Sequence, residues 1–135
     1  MMVIGIDPGV KTGLAAWVPE EQRFQEIRTC TIIQALDFCR LAIRDGIKIE
    51  IRFEDARQRK WFGRAGREQL QGAGSIKRDC AIWEEFCEQY QIPCRAIAPT
   101  KGATKWTADY FKRVTGWTGR TSEHARDAAC LVYGA

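Results

Sequence analysis

Two short apolar runs near the start of the chain, residues 3–7 and 12–18, limit its possible folds most strongly. They flank the turn sequence Pro-Gly-Val-Lys, and apolar runs separated by such a turn predict a β-hairpin. The first run ends on Asp7, at a place where a buried strand is expected to stay apolar. Asp7 therefore either caps the turn or has a chemical role at the end of a rigid strand.

The rest of the chain alternates between strand-like and helix-like patterns. Residues 23–32, 48–56 and 94–99 predict strands, the second of them from the strict period of two in KIEIRFEDA. Apolar spacings of three and four predict helices over 33–45, 75–90 and 105–115, the first and last ended by Gly46 and Gly116. A further helix over 122–132 is predicted with Ser122 as its N-cap. Together these patterns predict an α/β domain in which helices pack against a central sheet.

Length and composition narrow the class of protein. At 135 residues and 45% hydrophobic content, we expect one domain over residues 1–135. No apolar run approaches the roughly 20 residues needed to cross a bilayer, and no basic leader precedes an apolar cleavage region. We therefore expect a cytoplasmic protein without membrane association. The six cysteines are scattered without a CxxC pair, so we expect reduced core thiols rather than disulfides or metal ligands.

The net charge of +4 is concentrated in two segments, residues 57–70 and 101–120. The first interleaves its cations with Trp61 and Phe62 and lacks periodicity, which predicts a loop, while the second holds a single acid, Asp109. Either segment alone would fit a solvated surface. Two such segments favour a nucleic-acid partner, because cations neutralise phosphates and aromatic rings stack on unpaired bases. The cations are Arg57, Arg59, Lys60, Arg64 and Arg67 in the first segment, and Lys101, Lys105, Lys112, Arg113 and Arg120 in the second.

Four residues of metal-ligating type fall at or near the ends of predicted elements. Asp7 ends the first strand and Glu54 the fourth, while His124 and Asp127 share a face of the last helix at a spacing of three. Carboxylates and imidazole both bind divalent cations. Taken singly, these residues also fit a turn cap, a surface strand residue and an exposed helix pair. The adjacent acids that compete for the same roles are Asp55 and Glu123.

These motifs resemble those of the RuvC-type Holliday junction resolvases, members of the ribonuclease H-like superfamily. The family's first strand, with a catalytic aspartate followed by Pro-Gly, looks like IGIDPGVKTGLA, and its glutamate-bearing fourth-strand segment is similar to FEDA. Its terminal helix resembles HARDAACLVYGA. Its lysine-bearing stretch is similar to ATKWTADYFKRVTG, in which Lys105 takes the place of the lysine. The resemblance runs over nearly the whole chain and implies a ribonuclease H-like fold, with antiparallel strands 1–3 and parallel additions.

The resemblance implies a metal-dependent endonuclease that resolves four-way DNA junctions by paired nicks that leave 5′-phosphate and 3′-hydroxyl ends. Other branched DNA stays open as a further substrate. It carries over Asp7, Glu54, His124 and Asp127 as ligands of two Mg²⁺ ions about 3.5–4 Å apart, for which Mn²⁺ would substitute. Lys105 is carried over as a catalytic residue. A four-way junction has two-fold symmetry, so a homodimer is implied as well. The implied setting is a bacterial cell or a phage-infected host, with no nucleotide cofactor.

In the family, the segment after the glutamate meets the centre of the junction. Here that segment reads RQRKWFGRAGREQL and is richer in arginine than the family pattern requires. The resemblance assigns Trp61 or Phe62 as a wedge against unstacked bases, with the surrounding cations on phosphates. The alternative is that Trp61 covers an edge of the core.

Two further points stay open in the sequence. The helix over 75–90, with Trp83, Phe86 and Tyr90, either forms the dimer interface or packs within the monomer.

The acids would equally serve a ribonuclease H acting on RNA–DNA hybrids, and a noncatalytic relative that binds branched DNA would keep the basic segments. A nucleotide-binding domain of the actin or sugar-kinase type also begins with a strand and Asp-x-Gly, but it needs a second lobe and further glycine-rich phosphate loops, which a chain of 135 residues does not allow.

Overall fold

The computed structural model describes residues 1–58, 67–99 and 105–135. This part of the chain forms a mixed five-stranded sheet flanked by helices, which confirms the predicted α/β architecture. The elements in chain order are β1 (Met2–Asp7), β2 (Thr12–Val18), β3 (Arg23–Cys30), α1 (Ile32–Arg44), β4 (Ile49–Glu54), a short 3₁₀ helix (Ala56–Gln58), α2 (Arg67–Tyr90), β5 (Cys94–Ile97), α3 (Ala108–Thr115) and α4 (Glu123–Cys130).

The strand order of the sheet is β3-β2-β1-β4-β5. Strands β1, β2 and β3 pair antiparallel, as the predicted hairpin requires, whereas β4 and β5 add in parallel beyond β1. Ile6 of β1 is in register with Phe53 of β4, so the next residues, Asp7 and Glu54, end neighbouring strands that run in the same direction. Both carboxylates therefore stand at one edge of the sheet.

Separate apolar cores cover the two faces of the sheet. One contains Ile6, Phe53 and Trp83 and packs under α1 and α2. The other contains Val3 and Ala128 and packs under α3 and α4. Because successive strand residues point to opposite faces, Val3 and Ile6 contribute to different cores. Asp7 and Glu54, one residue beyond Ile6 and Phe53, then point to the face that carries α4.

Most helix ends lie where the sequence predicts them. The Ser122 side chain accepts a hydrogen bond from Ala125 N at 3.1 Å and caps α4. Gly46 and Gly116, with φ of 77° and 74°, follow α1 and α3 in the left-handed conformation that glycine adopts without strain. Thr107 caps α3, so that helix begins at Ala108 and not at residue 105.

Helix α2 is longer than predicted. It begins at Arg67, inside the segment that was predicted as a loop up to residue 70, and it contains Gly72 and Gly74. The segment up to residue 70 lacks helical periodicity, which is why the sequence predicts a later start; glycine also lowers helix propensity by about 1 kcal/mol relative to alanine.

The apolar face of α2 packs within the chain. Trp83 is fully buried and Phe86 is 5% exposed, both in the core beneath the sheet. Tyr90 is partly buried against the same core. Of the two interpretations open in the sequence, packing within the monomer is therefore the one observed for these side chains.

All six cysteines are free thiols, as predicted. Cys39, Cys80 and Cys87 are buried, whereas Cys94 and Cys130 are exposed, so the expectation of core burial fails for these two. In the part of the chain that the structure describes, no helix is both long enough and apolar enough to span a bilayer.

Candidate active site

Helix α4 lies close to β1 and β2 because the strand residues beneath it are glycines. A Cβ on Gly5 would lie 2.1 Å from the Ala128 carbonyl oxygen, and one on Gly13 would lie 1.9 Å from the His124 carbonyl oxygen. Gly13 is directly opposite Asp7 in the β1–β2 register. The two glycines thus allow the first turn of α4 to sit over the end of β1. Sequence reasoning missed both, although glycine within a strand is a known sign of close backbone approach.

Asp7 and His124 form the first contact of the site. The Asp7 Oδ2 atom lies 2.9 Å from His124 Nδ1, and the two side chains are 16% and 51% exposed respectively. Burial raises the pKa of the Asp7 carboxyl, the hydrogen bond with His124 opposes that rise, and the negative charge of Asp127 adds to it. The charge of Asp127 therefore acts on the buried carboxylate at the end of β1.

Lys105 and the acids of α4 form the second contact. The Lys105 Nζ atom lies 2.7 Å from Asp127 Oδ2 and 3.1 Å from Glu123 Oε1. These carboxylates raise the pKa of the Lys105 ammonium, and Lys105 in turn lowers the pKa of Glu123. The two adjacent candidates on α4 thus face different partners, since His124 contacts Asp7 whereas Glu123 contacts Lys105.

Arg126 fastens the Lys105 segment to α4. Its Nε donates to the Trp106 carbonyl oxygen at 3.0 Å, and its Nη1 donates to the Thr121 carbonyl and hydroxyl oxygens at 2.7 and 3.1 Å. These bonds fix the backbone next to Lys105 relative to the helix that carries Asp127. No sequence pattern marked Arg126, because the Trp106 carbonyl oxygen that it binds is brought near only by the fold.

Glu54 is the last residue of β4 and is half-buried on the side of the sheet that α4 covers. Asp55, its competitor, is 3% exposed and is held by Arg57, with Nε–Oδ1 at 2.7 Å and Nη2–Oδ2 at 2.9 Å, and by Gln58. Hydrogen bonding to Arg57 is the main cause that lowers the pKa of Asp55 to about 2. Asp55 therefore anchors the turn after β4, and Glu54 is the acid of the pair that ends its strand beside Asp7.

The predicted nucleic-acid contacts are described only in part. Arg57 pairs with Asp55 and with Glu84, and Arg67 is the first residue of α2. Lys105 is 61% exposed and lies in the site. The other members of this set, Arg59, Lys60, Trp61, Phe62, Arg64 and Lys101, lie outside the described residues, and their roles stay predictions.

Within residues 1–58, 67–99 and 105–135, no three His, Cys, Asp or Glu side chains lie close enough together to hold a metal ion. Asp7 contacts His124, and the Asp127 carboxylate forms an ion pair with Lys105. The donor types themselves suit a divalent cation. A cation bound to both Asp7 and Asp127 would also relieve the repulsion that helps to raise the pKa of Asp7.

A scan against protein-family models gave no match, and a search of curated proteins gave none either. The geometry of this site and the sequence motifs that contain its residues are therefore the basis for assigning a function.

Proposed function

We propose that this chain is a divalent-metal-dependent, structure-selective DNA endonuclease of ribonuclease H-like fold that resolves four-way junctions. The supporting observation is the position of Asp7 and Glu54, which are far apart in sequence yet end adjacent parallel strands. Helix α4 adds His124 in contact with Asp7, and Asp127 one turn further along. The three antiparallel strands extended by two parallel ones are compatible with the proposed fold.

In this proposal Asp7, Glu54, His124 and Asp127 would hold the metal, which requires their side chains to move closer together than the structure has them. When bound, Mg²⁺ or Mn²⁺ supplies Lewis-acid stabilisation of the charge that develops on the scissile phosphate. Asp7 is fixed by its strand, and its contact with Nδ1 orients the His124 ring so that Nε2 is the nitrogen left for a ligand or substrate. The orientation of His124 thus depends on Asp7.

Lys105 acts on the substrate phosphate. Its ammonium lies between Asp127 and Glu123 and stays protonated because both carboxylates raise its pKa. With 61% of the side chain exposed, it can exchange a carboxylate contact for a phosphate oxygen. Lys105 therefore neutralises charge both before and after DNA binds.

The substrate form and assembly follow from the same proposal. Two basic segments supply contacts for phosphates, and a four-way junction presents two opposed strands to be nicked. A homodimer would place one site on each of these strands.

Cleavage of defined DNA substrates tests the function. Synthetic four-way, three-way, flap and linear duplex DNAs, together with an RNA–DNA hybrid, are incubated with the protein in Mg²⁺, Mn²⁺ or EDTA. We expect paired nicks in the four-way junction with either metal and none in EDTA. Preferential cleavage of the hybrid would instead indicate a ribonuclease H, and binding without cleavage of any branched DNA in either metal would indicate a noncatalytic relative.

Conservative substitutions at the strand ends test the site. Asp7→Asn and Glu54→Gln remove the charge with little change in shape, so we expect cleavage to fall at least a hundredfold while junction binding in EDTA persists. The matched control is Asp45→Asn, at an exposed carboxylate that follows α1. Cleavage by Asp7→Asn at the rate of this control would contradict the proposal.

A further inference from the structure

Two cysteines meet where the end of α2 packs beside the start of β5. Cys94 pairs with Ile51 in the parallel register of β4 and β5. Residues that pair across neighbouring strands point to the same face of the sheet, and Ile51 belongs to the core under α1 and α2. The Cys94 side chain therefore points to the face on which α2 places Cys87, itself a member of that core.

The turn after α2 fixes the backbone next to both cysteines. The Ile92 amide donates to the Cys87 carbonyl oxygen at 2.9 Å, so the chain reverses directly after the helix. The Pro93 carbonyl oxygen then accepts a hydrogen bond from Ile51 N at 3.0 Å, which fixes the chain beside β4 just before Cys94. Backbone hydrogen bonds on both sides of the turn thus hold the two thiols in place.

The two thiols form a hydrogen bond with each other in a surface groove. Cys87 is buried and Cys94 is exposed, and both line a groove of about 430 Å³ between α2 and β5. The hydrogen bond from Cys87 lowers the pKa of the Cys94 thiol, and burial opposes this effect. The same bond, together with burial, raises the pKa of Cys87. Cys94 is therefore the thiol that ionises first, and it is also the one that solvent reaches.

The surroundings of the pair favour oxidation over metal binding. In the part of the chain that the structure describes, no three His, Cys, Asp or Glu side chains lie close enough together to hold a metal ion. An exposed thiolate beside a second thiol is the arrangement that oxidants attack, because the second thiol displaces oxygen from the oxidised sulfur. The chemistry that this pair can perform is thus the formation of a disulfide.

We propose that Cys94 and Cys87 are an oxidisable dithiol, in which a peroxide oxidises Cys94 and Cys87 then closes a disulfide between β5 and α2. The Cys94 thiolate attacks the O–O bond of the peroxide, keeps one oxygen as a sulfenic acid and releases hydroxide, which is protonated to water. The Cys87 sulfur attacks the sulfenic sulfur, and its proton leaves with the hydroxyl group as a second water. Two thiols and one hydrogen peroxide thus give one disulfide and two waters. This inference is independent of the nuclease proposal.

Counting thiols after oxidation tests the proposal. The reduced full chain is treated with hydrogen peroxide and the remaining thiols are blocked with N-ethylmaleimide. Intact mass and peptide mapping then identify the products. The variants are Cys94→Ser and Cys87→Ala, each of which removes one thiol of the pair.

The matched control is Cys130→Ser. Cys130 is also exposed, but partial burial and the charge of Asp127 raise its pKa, whereas the Cys87 hydrogen bond lowers that of Cys94. Circular dichroism establishes that each variant is folded. Cys94→Ser changes an exposed side chain, so it keeps the test decisive if Cys87→Ala disturbs the core.

In the unmodified chain we expect oxidation to remove two thiols and to link the peptides that carry Cys87 and Cys94. Cys130→Ser should form the same disulfide, whereas Cys94→Ser and Cys87→Ala should form none within the chain. Alkylation by iodoacetamide at pH 7 should be faster at Cys94 than at Cys130 in the unmodified chain. It should slow severalfold at Cys94 in Cys87→Ala, because the thiolate loses its hydrogen-bond donor.

Three results would overturn the proposal. The first is a peroxide-treated chain in which Cys87 and Cys94 are unlinked, whether as thiols or as separate oxyacids. The second is a disulfide that joins another pair of cysteines or two chains. The third is alkylation of Cys94 at the same rate with and without Cys87. The nuclease proposal fails or holds separately, since none of these measurements uses DNA.

Discussion

Neighbouring residues in this chain have different roles because the backbone turns them toward different partners. Glu54 ends β4 beside the end of β1, whereas Asp55 is buried against Arg57 and Gln58. In the same way His124 contacts Asp7, and Glu123 contacts Lys105. The sequence names all four acids and bases as candidates, but it does not say which member of each adjacent pair enters the site.

The ion pair of the buried Asp55 with Arg57 predicts that the protein loses stability at acid pH. The pKa of Asp55 in the folded chain, about 2, lies below its ordinary value of 3.8. Its contribution to the free energy of unfolding is therefore complete above about pH 4 and is lost as the pH falls toward 2. Asp55→Asn should therefore lower the free energy of unfolding at pH 7 by about 2 kcal/mol and flatten its pH dependence between pH 4 and 2. Urea unfolding across this pH range measures both effects.

Asp37→Asn is the control for this prediction. Asp37 pairs with Arg40 at 2.8 Å, but the two side chains are 58% and 47% exposed. Exposed ion pairs contribute about 0.2–1 kcal/mol, so this variant should change stability little. An equal loss in both variants would mean that burial of Asp55 is not the cause.

At the scale of elements, the site depends on how closely α4 approaches the sheet. Gly5 and Gly13 leave room for its backbone, Ser122 caps its first turn, and Arg126 ties the Lys105 segment to it. Small residues on the helix, such as Ala125 and Ala128, complete the contact as fully buried groups. The spacing between β1 and α4 therefore sets the distance between Asp7 and the residues of α4.

Gly13→Ala tests this packing. Its Cβ would overlap the His124 carbonyl oxygen, so the helix must shift, and we expect a loss of at least about 2 kcal/mol in the free energy of unfolding together with loss of cleavage. Gly74→Ala is the matched control, because nothing lies within 4 Å of its added methyl group inside α2. That change should stabilise the chain by about 0.5–1 kcal/mol. Similar stability for the two variants would show that α4 can move without cost.

At the scale of the whole molecule, the sheet assembles the site from both ends of the sequence. The hairpin of β1 and β2 supplies Asp7, the parallel strand β4 supplies Glu54, and α4 returns over the hairpin from the far end of the chain. The larger α2 covers the opposite face and contributes its apolar side chains to the core there. A second copy must therefore use a surface other than the apolar face of α2.

The proposed homodimer makes a prediction at this scale. Sedimentation velocity at micromolar protein should show a species with the mass of two chains, because two opposed strands of a junction each need a site. Trp83→Leu, a core change, should lower stability by about 2–3 kcal/mol without selectively dissociating the dimer. A species of one-chain mass, with and without junction DNA, would contradict the dimer.

Much of the architecture was predictable because local patterns specify it. Period-two alternation identified β4, turn residues identified the hairpin, and Ser122 and the two glycines after α1 and α3 marked helix ends correctly. The early start of α2 was missed because the segment up to residue 70 shows no helical periodicity. The local preferences of residues for strands, turns and helix caps therefore predict the type of each element and most of its bounds.

The sequence by itself determined which residues have metal-ligating and phosphate-binding chemistry, because side-chain type and the ends of local elements are written in it. Only the tertiary structure decided which of them meet. The parallel register sets Asp7 beside Glu54, and the glycines of β1 and β2 admit α4. These features join residues far apart in the chain, as in the contact between Asp7 and His124, which are 117 positions apart. Such contacts depend on packing between elements, which no local pattern encodes.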